Sequence, residues 1–396
     1  MSDPRALLLV ANARMPSQRA QSLQVAQVAA SFARAGCATT LMHARRRDTP
    51  PMEAGELWAF YQSQGTPGAT PALRAVGCVD WIDRFPRRLQ YLPARLQELS
   101  FARQAARALA AEPDSAWVLS RELEVARSLV RSGRRGVFLE VHRVPGGRTR
   151  RRWLAQCAPR LAGVVAISGG VREDLLTLGL REEDVRVEHD GFDPGRFVGL
   201  VTRAEARREL GLADGRAVVV YTGGLLEWKG VDLLVEAARE LGEVQVVIAG
   251  GMDADAARLR RAARGVANVR IDGFQPPQRV ALYLAAADVG VVPNRSRPPI
   301  SARYTSPLKV FEAMAASLPL VASDLPSLRE LLTHGEDAWL VQPDDAGTLA
   351  EGLRRILADD ALRAGLARRL GERAARHTWD ARSARLMGWM ESRAPS

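Results

Sequence analysis

Lysine is nearly missing from this chain. Of its 56 basic residues among 396, two are lysine, Lys229 and Lys309, and the others are arginine. Cysteine is almost as scarce. Cys37, Cys78 and Cys157 are odd in number and far apart, which argues against a disulfide framework or a cysteine-built zinc site and fits a reducing cytosol. No run of 18 or more uncharged apolar residues occurs, so no membrane-spanning helix is expected. The opening "MSDPRALLLVANARM" carries neither a basic leader nor a cleavage signature and reads as a first strand, not as a secretory signal. Aromatic residues make up 6% and do not interleave with the arginine clusters, so base-stacking platforms and a nucleic-acid partner are not expected.

What is present is an ordinary globular composition, 47% hydrophobic and 26% charged, in a chain long enough for two domains. Its net charge of +11 points toward anionic partners. Short runs of Val, Ile and Leu alternate with longer helical patterns. "ALLLVAN", "TTLMHAR", "GVFLEVH", "GVVAIS" and "VRVEHDG" form one series; "AVVVYTG", "VQVVIAGG", "VRIDGF", "DVGVVPN", "PLVASD" and "WLVQP" form a second. Uninterrupted apolar strands between helices predict parallel sheets covered on both faces. The expected fold class is therefore α/β, with two Rossmann-like doubly wound domains, 1–195 and 196–376, joined at "DGFDPGRFVGLVTRAEA". An amphipathic helix over 377–396 is expected to pack back on the first domain. Ligands of such sheets bind beyond the carboxyl ends of strands, so the following loops are where chemistry is sought.

Both lysines fall in such loops of the second half. "YTSPLKVFEAMA" predicts a helix start with Ser306 as N-cap and Pro307 at the first helical position. The amides of Leu308, Lys309 and Val310 would then face an anion, with the Lys309 ammonium added. Glu312, three residues on, shares that face, while Leu308, Phe311 and Met314 form the apolar stripe. Lys229 follows a buried strand and a Gly-Gly turn in "VVVYTGGLLEWKGVDLL". Arginine replaces lysine freely on a wet surface, but not where a compact charge must approach phosphate through limited space. One polyphosphate held between the two lysines is the reading this favours. Surface salt bridges are the plainer one. The glycine runs "YTGGLLEWKG" and "IAGGMDADAARL" lack Gly-x-Gly-x-x-Gly, and "ANARMPSQRAQS" has no glycine, which leaves a nicotinamide-dependent oxidoreductase as the weaker alternative. Carboxylates and histidines do not gather at metal-ligand spacing.

Taken together, "GGLLEWKGVDLLVEA", "SPLKVFEAMAASLPLVASDLPSLREL" and "HGEDAWLVQPDD" resemble, in order and spacing, the donor domain of GT-B retaining glycosyltransferases of family 4 (glycosyl transferases group 1). The first half is looser but similar, through "AQSLQVAQVAASFARAG", "VVAIS" and "VRVEHDGFDPGRF". The resemblance implies two Rossmann-like domains facing across a cleft, the first binding an acceptor and the second a nucleotide-sugar. It implies that Lys229 contacts the donor diphosphate, that the amides around Leu308 and Lys309 cradle it, that Glu312 binds ribose hydroxyls, and that His142 lies beside the transferred sugar. Gly223, Gly224, Gly250, Phe274, Asn294, Tyr304, Thr305, Ser306 and Pro307 complete the implied donor site. The donor would be a UDP-sugar or GDP-sugar and the acceptor a sugar or lipid-linked hydroxyl, with no cofactor and no essential metal. Two positions depart from the family pattern. Gly224 stands where an arginine is usual, and Tyr304 where the first Glu of Glu-x7-Glu belongs. These departures keep open a catalytically silent nucleotide-sugar binder.

Residues 84–109, "RFPRRLQYLPARLQELSFARQAARAL", mix Arg84, Arg87, Arg88, Arg95 and Arg103 with Phe85, Tyr91, Leu92 and Phe101. Such a segment is expected either to lie on an anionic membrane from the cytoplasmic side, joined by "GGRTRRRW", or to form an ordinary wet helix pair.

Overall fold

The computed structural model describes residues 5–17, 20–47, 49, 52–61, 70–213 and 215–393. The first four residues of the chain and the last three of the 377–396 segment lie outside the described residues. So does the side chain of Arg87.

The chain divides into two compact units. Unit 1 comprises Met1–Ile167, Val171–Glu188 and Trp379–Ser396; unit 2 comprises Ser168–Gly170 and His189–Thr378. The passage expected at 195/196 thus falls between Glu188 and His189. The segment "DGFDPGRF" is core material of unit 2, because Phe192 and Phe197 are buried and meet edge to face at 5.8 Å.

Unit 1 holds a seven-stranded sheet: β1 (Ala6–Arg14), β2 (Ala38–Ala44), β3 (Ala72–Val76), β4 (Trp117–Ser120), β5 (Val137–Val141), β6 (Gly163–Ala166) and β7 (Val185–Val187). Their order is β3-β2-β1-β4-β5-β6-β7, and every pairing is parallel. β3 is an edge strand of mixed exposure carrying Arg74, and β4 is a fully buried four-residue strand set between polar segments. The C-terminal helix Trp379–Arg393 is anchored here by polar bonds that a smooth apolar face would not supply. Trp379 Nε1 donates to Gln27 Oε1 at 2.7 Å, the hydroxyls of Ser31 and Ser383 meet at 2.6 Å, and buried Arg382 pairs with Glu140 at 2.7 Å.

Unit 2 repeats the plan with six strands: β8 (Ala217–Thr222), β9 (Val244–Ala249), β10 (Val269–Gly273), β11 (Val289–Val292), β12 (Leu320–Ser323) and β13 (Trp339–Val341), in the order β10-β9-β8-β11-β12-β13, all parallel. Val218, Val219, Val220, Val246, Val247 and Ile248 are within 1% of complete burial, as strands covered on both faces require. Both sheets are doubly wound and Rossmann-like. Strand order reverses between β8 and β11, which opens a crevice at their carboxyl ends.

Close approach in that crevice depends on Gly230, which caps the helix Val231–Arg239 at φ 65°. A Cβ there would lie 1.9 Å from the Pro293 carbonyl oxygen just beyond β11. Gly230→Ala is therefore expected to lower unfolding free energy by more than about 2 kcal/mol in urea titrations. Gly224→Ala, whose new Cβ meets nothing within 4 Å, should stay within about 0.5 kcal/mol. Equal effects of the two substitutions would contradict this account of the turn.

Candidate functional site

Four elements of unit 2 converge at the β8/β11 crevice. β8 delivers Tyr221 and then the exposed turn Gly223-Gly224. A Cβ on Gly250, at the end of β9, would stand 2.1 Å from the Gly223 carbonyl oxygen, so the two loops touch backbone to backbone. The chain then makes a 3-10 turn over Glu227–Lys229, closed by the Lys229 amide on the Leu226 carbonyl at 2.8 Å. Beyond β11 lies Asn294, fully buried, whose amide oxygen and nitrogen have no hydrogen-bond partner among the described residues. The fourth element is the helix Leu308–Ala315.

This helix begins differently from the sequence expectation. Ser306 does not cap it, because its hydroxyl accepts the Asp190 amide at 2.8 Å. Pro307 takes the N-cap position, Lys309 is the second helical residue, and the Val310 amide is spent on the Pro307 carbonyl at 2.9 Å. The amides of Leu308 and Lys309 remain as first-turn donors without an intrahelical acceptor. Phe311 and Met314 enter the core as expected, while Leu308 is half-buried and Lys309 is buried.

The two lysines converge. The Lys309 Nζ has no hydrogen-bond partner among the described residues and sits 3.8 Å from the ring centroid of Tyr221. Burial, and then the charge of Lys229, pull its ammonium well below the ordinary lysine range, with Glu312 opposing. Lys229 is half-buried, with Nζ 3.9 Å from the centroid of the Trp228 ring, and burial lowers it to about 8. Two amines thus share a site in which their nitrogens lie against the Tyr221 and Trp228 rings, with the Glu312 carboxylate also acting on Lys309. Tyr221 also holds the loop, since its hydroxyl donates to the Gly224 carbonyl at 2.6 Å. Glu312, raised by burial, is turned toward Arg196, its Oε1 3.2 Å from Nη1. Arg196 is fixed in turn by the Pro277 carbonyl at 2.6 Å.

Of the other expected donor residues, Thr305 is buried, and Phe274 and Tyr304 are half-buried, with the Arg303 guanidinium 5.6 Å from the Tyr304 ring. Tyr221, Trp228 and Arg196 were not among the residues expected from sequence. Tyr221 reads as one more apolar strand residue, and Arg196 as one arginine among 54.

His142 belongs to unit 1, after β5. Its Nε2 lies 2.7 Å from Glu140 Oε1 and its Nδ1 3.2 Å from Arg121 Nη2. A guanidinium only donates, so Nδ1 accepts and the ring proton sits on Nε2. Burial raises the Glu140 carboxyl, but Arg382, His142 and Arg121 outweigh it and hold the group well below the usual carboxylate range. The imidazole is therefore oriented by its neighbours, and acting as a base would require giving up the Arg121 bond. Among the described residues no group of three or more His, Cys, Asp or Glu side chains is arranged to hold a metal ion.

The fold belongs to a known class. It is shared with sucrose-phosphate synthase from Thermosynechococcus elongatus (TM-score 0.78, 19% identity, 98% of each chain) and with Anabaena HepE, solved in complex with UDP (TM-score 0.73, 17% identity, 98% of this chain and 100% of that one). These are the two parallel-sheet, Rossmann-like units of the GT-B type. Within unit 2, residues 216–359 match the family model of glycosyl transferases group 1. The chain is 28% identical over 211 residues to a D-inositol 3-phosphate glycosyltransferase of Corynebacterium urealyticum, covering 50% of this chain and 48% of the relative. It is 35% identical over 164 residues to a phosphatidyl-myo-inositol mannosyltransferase of Mycolicibacterium smegmatis, 40% of each. The chain thus spans about half the length, or less, of these curated relatives.

The lysine cluster has a thermodynamic signature. A lysine whose folded pKa is lowered costs stability in full below that value, and the cost fades as pH rises toward the unfolded one. For Lys229 that window runs from about 8 to 10.5. Lys229→Met should therefore be more stable than the native protein at pH 7, by up to about 3 kcal/mol, and the two should converge near pH 10.5. Denaturant unfolding at both pH values checks this; a gap that does not change with pH would show that burial does not perturb the amine.

Proposed function

We propose that the protein is a glycosyltransferase that moves a sugar from a nucleoside-diphospho-sugar to an acceptor hydroxyl on a glycan, glycolipid or small molecule. The observation that carries this reading is the pair of lysines at the β8/β11 crevice, one of them buried without a hydrogen-bonding or ion-pairing partner among the described residues. A buried ammonium kept without a counter-ion is expensive, and a diphosphate would supply the missing charge. The donor complexes of HepE with UDP and UDP-glucose, and the glycosyltransferase names of the curated relatives, point the same way. A UDP-sugar is the first candidate donor and a GDP-sugar the second.

In this reading Lys229, Lys309 and the amides of Leu308 and Lys309 neutralise the diphosphate as it departs. Preorganised charge of this kind acts on the transition state without reorganisation and takes the place of a divalent ion. Glu312, steadied by Arg196, receives the ribose hydroxyls, and Gly223 and Gly250 let backbone approach the phosphates. Phe274 and Asn294 border the base, while Tyr304 and Thr305 meet the sugar where a glutamate is usual. Unit 1, with His142, is assigned the acceptor. The reaction retains configuration: the bond from the anomeric carbon to the diphosphate oxygen breaks, the bond to the acceptor oxygen forms on the same face, and the acceptor proton passes to the departing phosphate. The cytosol is the compartment this donor chemistry implies.

Thermal-shift titration with UDP, GDP, ADP and TDP identifies the base, since a ligand at a hundred times its Kd adds about 2.7 kcal/mol. Lys229→Ala and Lys309→Ala should each lower kcat/KM with the identified donor by about 100-fold or more. Unchanged turnover in both variants removes the proposal, whereas nucleotide binding with no turnover by the native protein leaves a nucleotide-sugar binder.

A further inference from the structure

Outside the lysine site, the most uneven feature of the surface lies on unit 1. Among the described residues, 13 large hydrophobic side chains are exposed, and eight of them fall between residues 79 and 99. They are Val79, Trp81, Phe85, Leu89, Tyr91, Leu92, Leu96 and Leu99, with Tyr91 75% and Leu92 69% exposed. On the helix Tyr91–Leu109, Pro93, Gln97, Phe101 and Ala105 face inward, so Phe101 is not part of the outer set. Leu92, Leu96 and Leu99 form an outward stripe at i, i+4 and i+7, continued at i+11 by exposed Arg103. An apolar concentration of this kind on an otherwise polar surface marks a docking site.

The charges choose the occupant. The carboxylates within 79–99 are Asp80, Asp83 and Glu98, and each is held by an arginine of unit 1. Asp80 is paired with Arg46 at 2.9 Å, Asp83 with Arg14, and Glu98 with Arg95. Arg84, Arg88, Arg103 and Arg107 are exposed around the apolar residues. The segment thus presents exposed leucine and aromatic side chains together with exposed guanidinium groups, its acids paired from within unit 1. In "GGRTRRRW", Arg150 is engaged with Glu124 at 3.0 Å and Trp153 lies under Arg127 at 4.6 Å, while Arg148, Arg151 and Arg152 are exposed. Val79 and Trp81 lie at once in this face and in the lining of a cavity of about 830 Å³ that also meets Arg45 and Arg47.

We propose that residues 79–99 seat unit 1 on an anionic lipid bilayer, the leucine stripe entering the headgroup boundary and the arginines meeting lipid phosphates. The inference stands apart from the glycosyl-transfer reading, since it rests on a different unit and different side chains. Among the described residues no helix is long and apolar enough to cross a membrane, so attachment of this kind is peripheral and salt-sensitive.

The test is co-sedimentation of the full chain with phosphatidylglycerol vesicles and with phosphatidylcholine vesicles over a range of NaCl concentrations. Binding to the anionic vesicles that weakens with salt is expected. The Arg84→Glu/Arg88→Glu pair should reduce it by at least about 25-fold, at about fivefold per arginine, and Leu92→Asp/Leu96→Asp should abolish it. Should the leucine pair lower the unfolding midpoint, the arginine pair decides, because those side chains are outside the core. Equal binding to both vesicle types, or none, overturns the proposal. A soluble oligomer that either pair dissociates overturns it as well, by assigning the face to a second copy of the chain.

Discussion

Unit 2 is organised around charge that is buried before it is balanced. Lys309 occupies the second position of a helix whose other inward residues are Val310, Phe311, Ala313 and Met314, and its amine is surrounded by Tyr221, Lys229 and Glu312. Folding around such a group is unfavourable, so the surrounding structure must over-determine it. Gly230 against Pro293, Gly250 against Gly223 and the Tyr221–Gly224 bond supply that rigidity. The two glycine contacts let loops from different strands pack backbone to backbone, the Tyr221 hydroxyl fixes the turn after β8, and two lysines 80 positions apart come into one electrostatic neighbourhood.

Aromatic rings take the role that carboxylates would play elsewhere. A carboxylate ion-paired with Lys309 would satisfy it and, in the proposed reading, compete with the donor diphosphate. The faces of Tyr221 and Trp228 offer a weaker, displaceable attraction that leaves the positive charge unspent. The carboxylate that acts on Lys309, Glu312, is shared with Arg196. Unit 1 solves the opposite problem: Glu140 is surrounded by Arg121, Arg382 and His142, fully paired and rigid. One unit stores uncompensated charge and the other compensated charge.

Much of this was legible in the chain. Two doubly wound sheets followed from alternating apolar runs and helical patterns, and the rarity of lysine drew attention to the two loops that the structure joins. What stayed hidden has physical reasons. β3 was missed because an edge strand of mixed exposure carrying Arg74 lacks an apolar run, and β4, "WVLS", because it stands alone between polar segments. The helix start was misplaced by one residue because Ser306 found a tertiary partner, Asp190, that local capping preference cannot foresee. Tyr221 and Arg196 act through contacts across 3 to 116 positions of sequence, where residue type alone gives no signal. Burial of Phe101 depended on which face of its helix meets the sheet.

An arginine-rich chain with two ε-amines also has an unusual chemical reactivity. Acylating reagents and metabolic acyl donors attack neutral amines, not guanidinium groups, and burial shifts Lys229 toward the neutral form near physiological pH. Lysine acylation is thereby confined to the crevice itself, where an adduct on either amine would remove one of the two charges that the proposed donor binding uses.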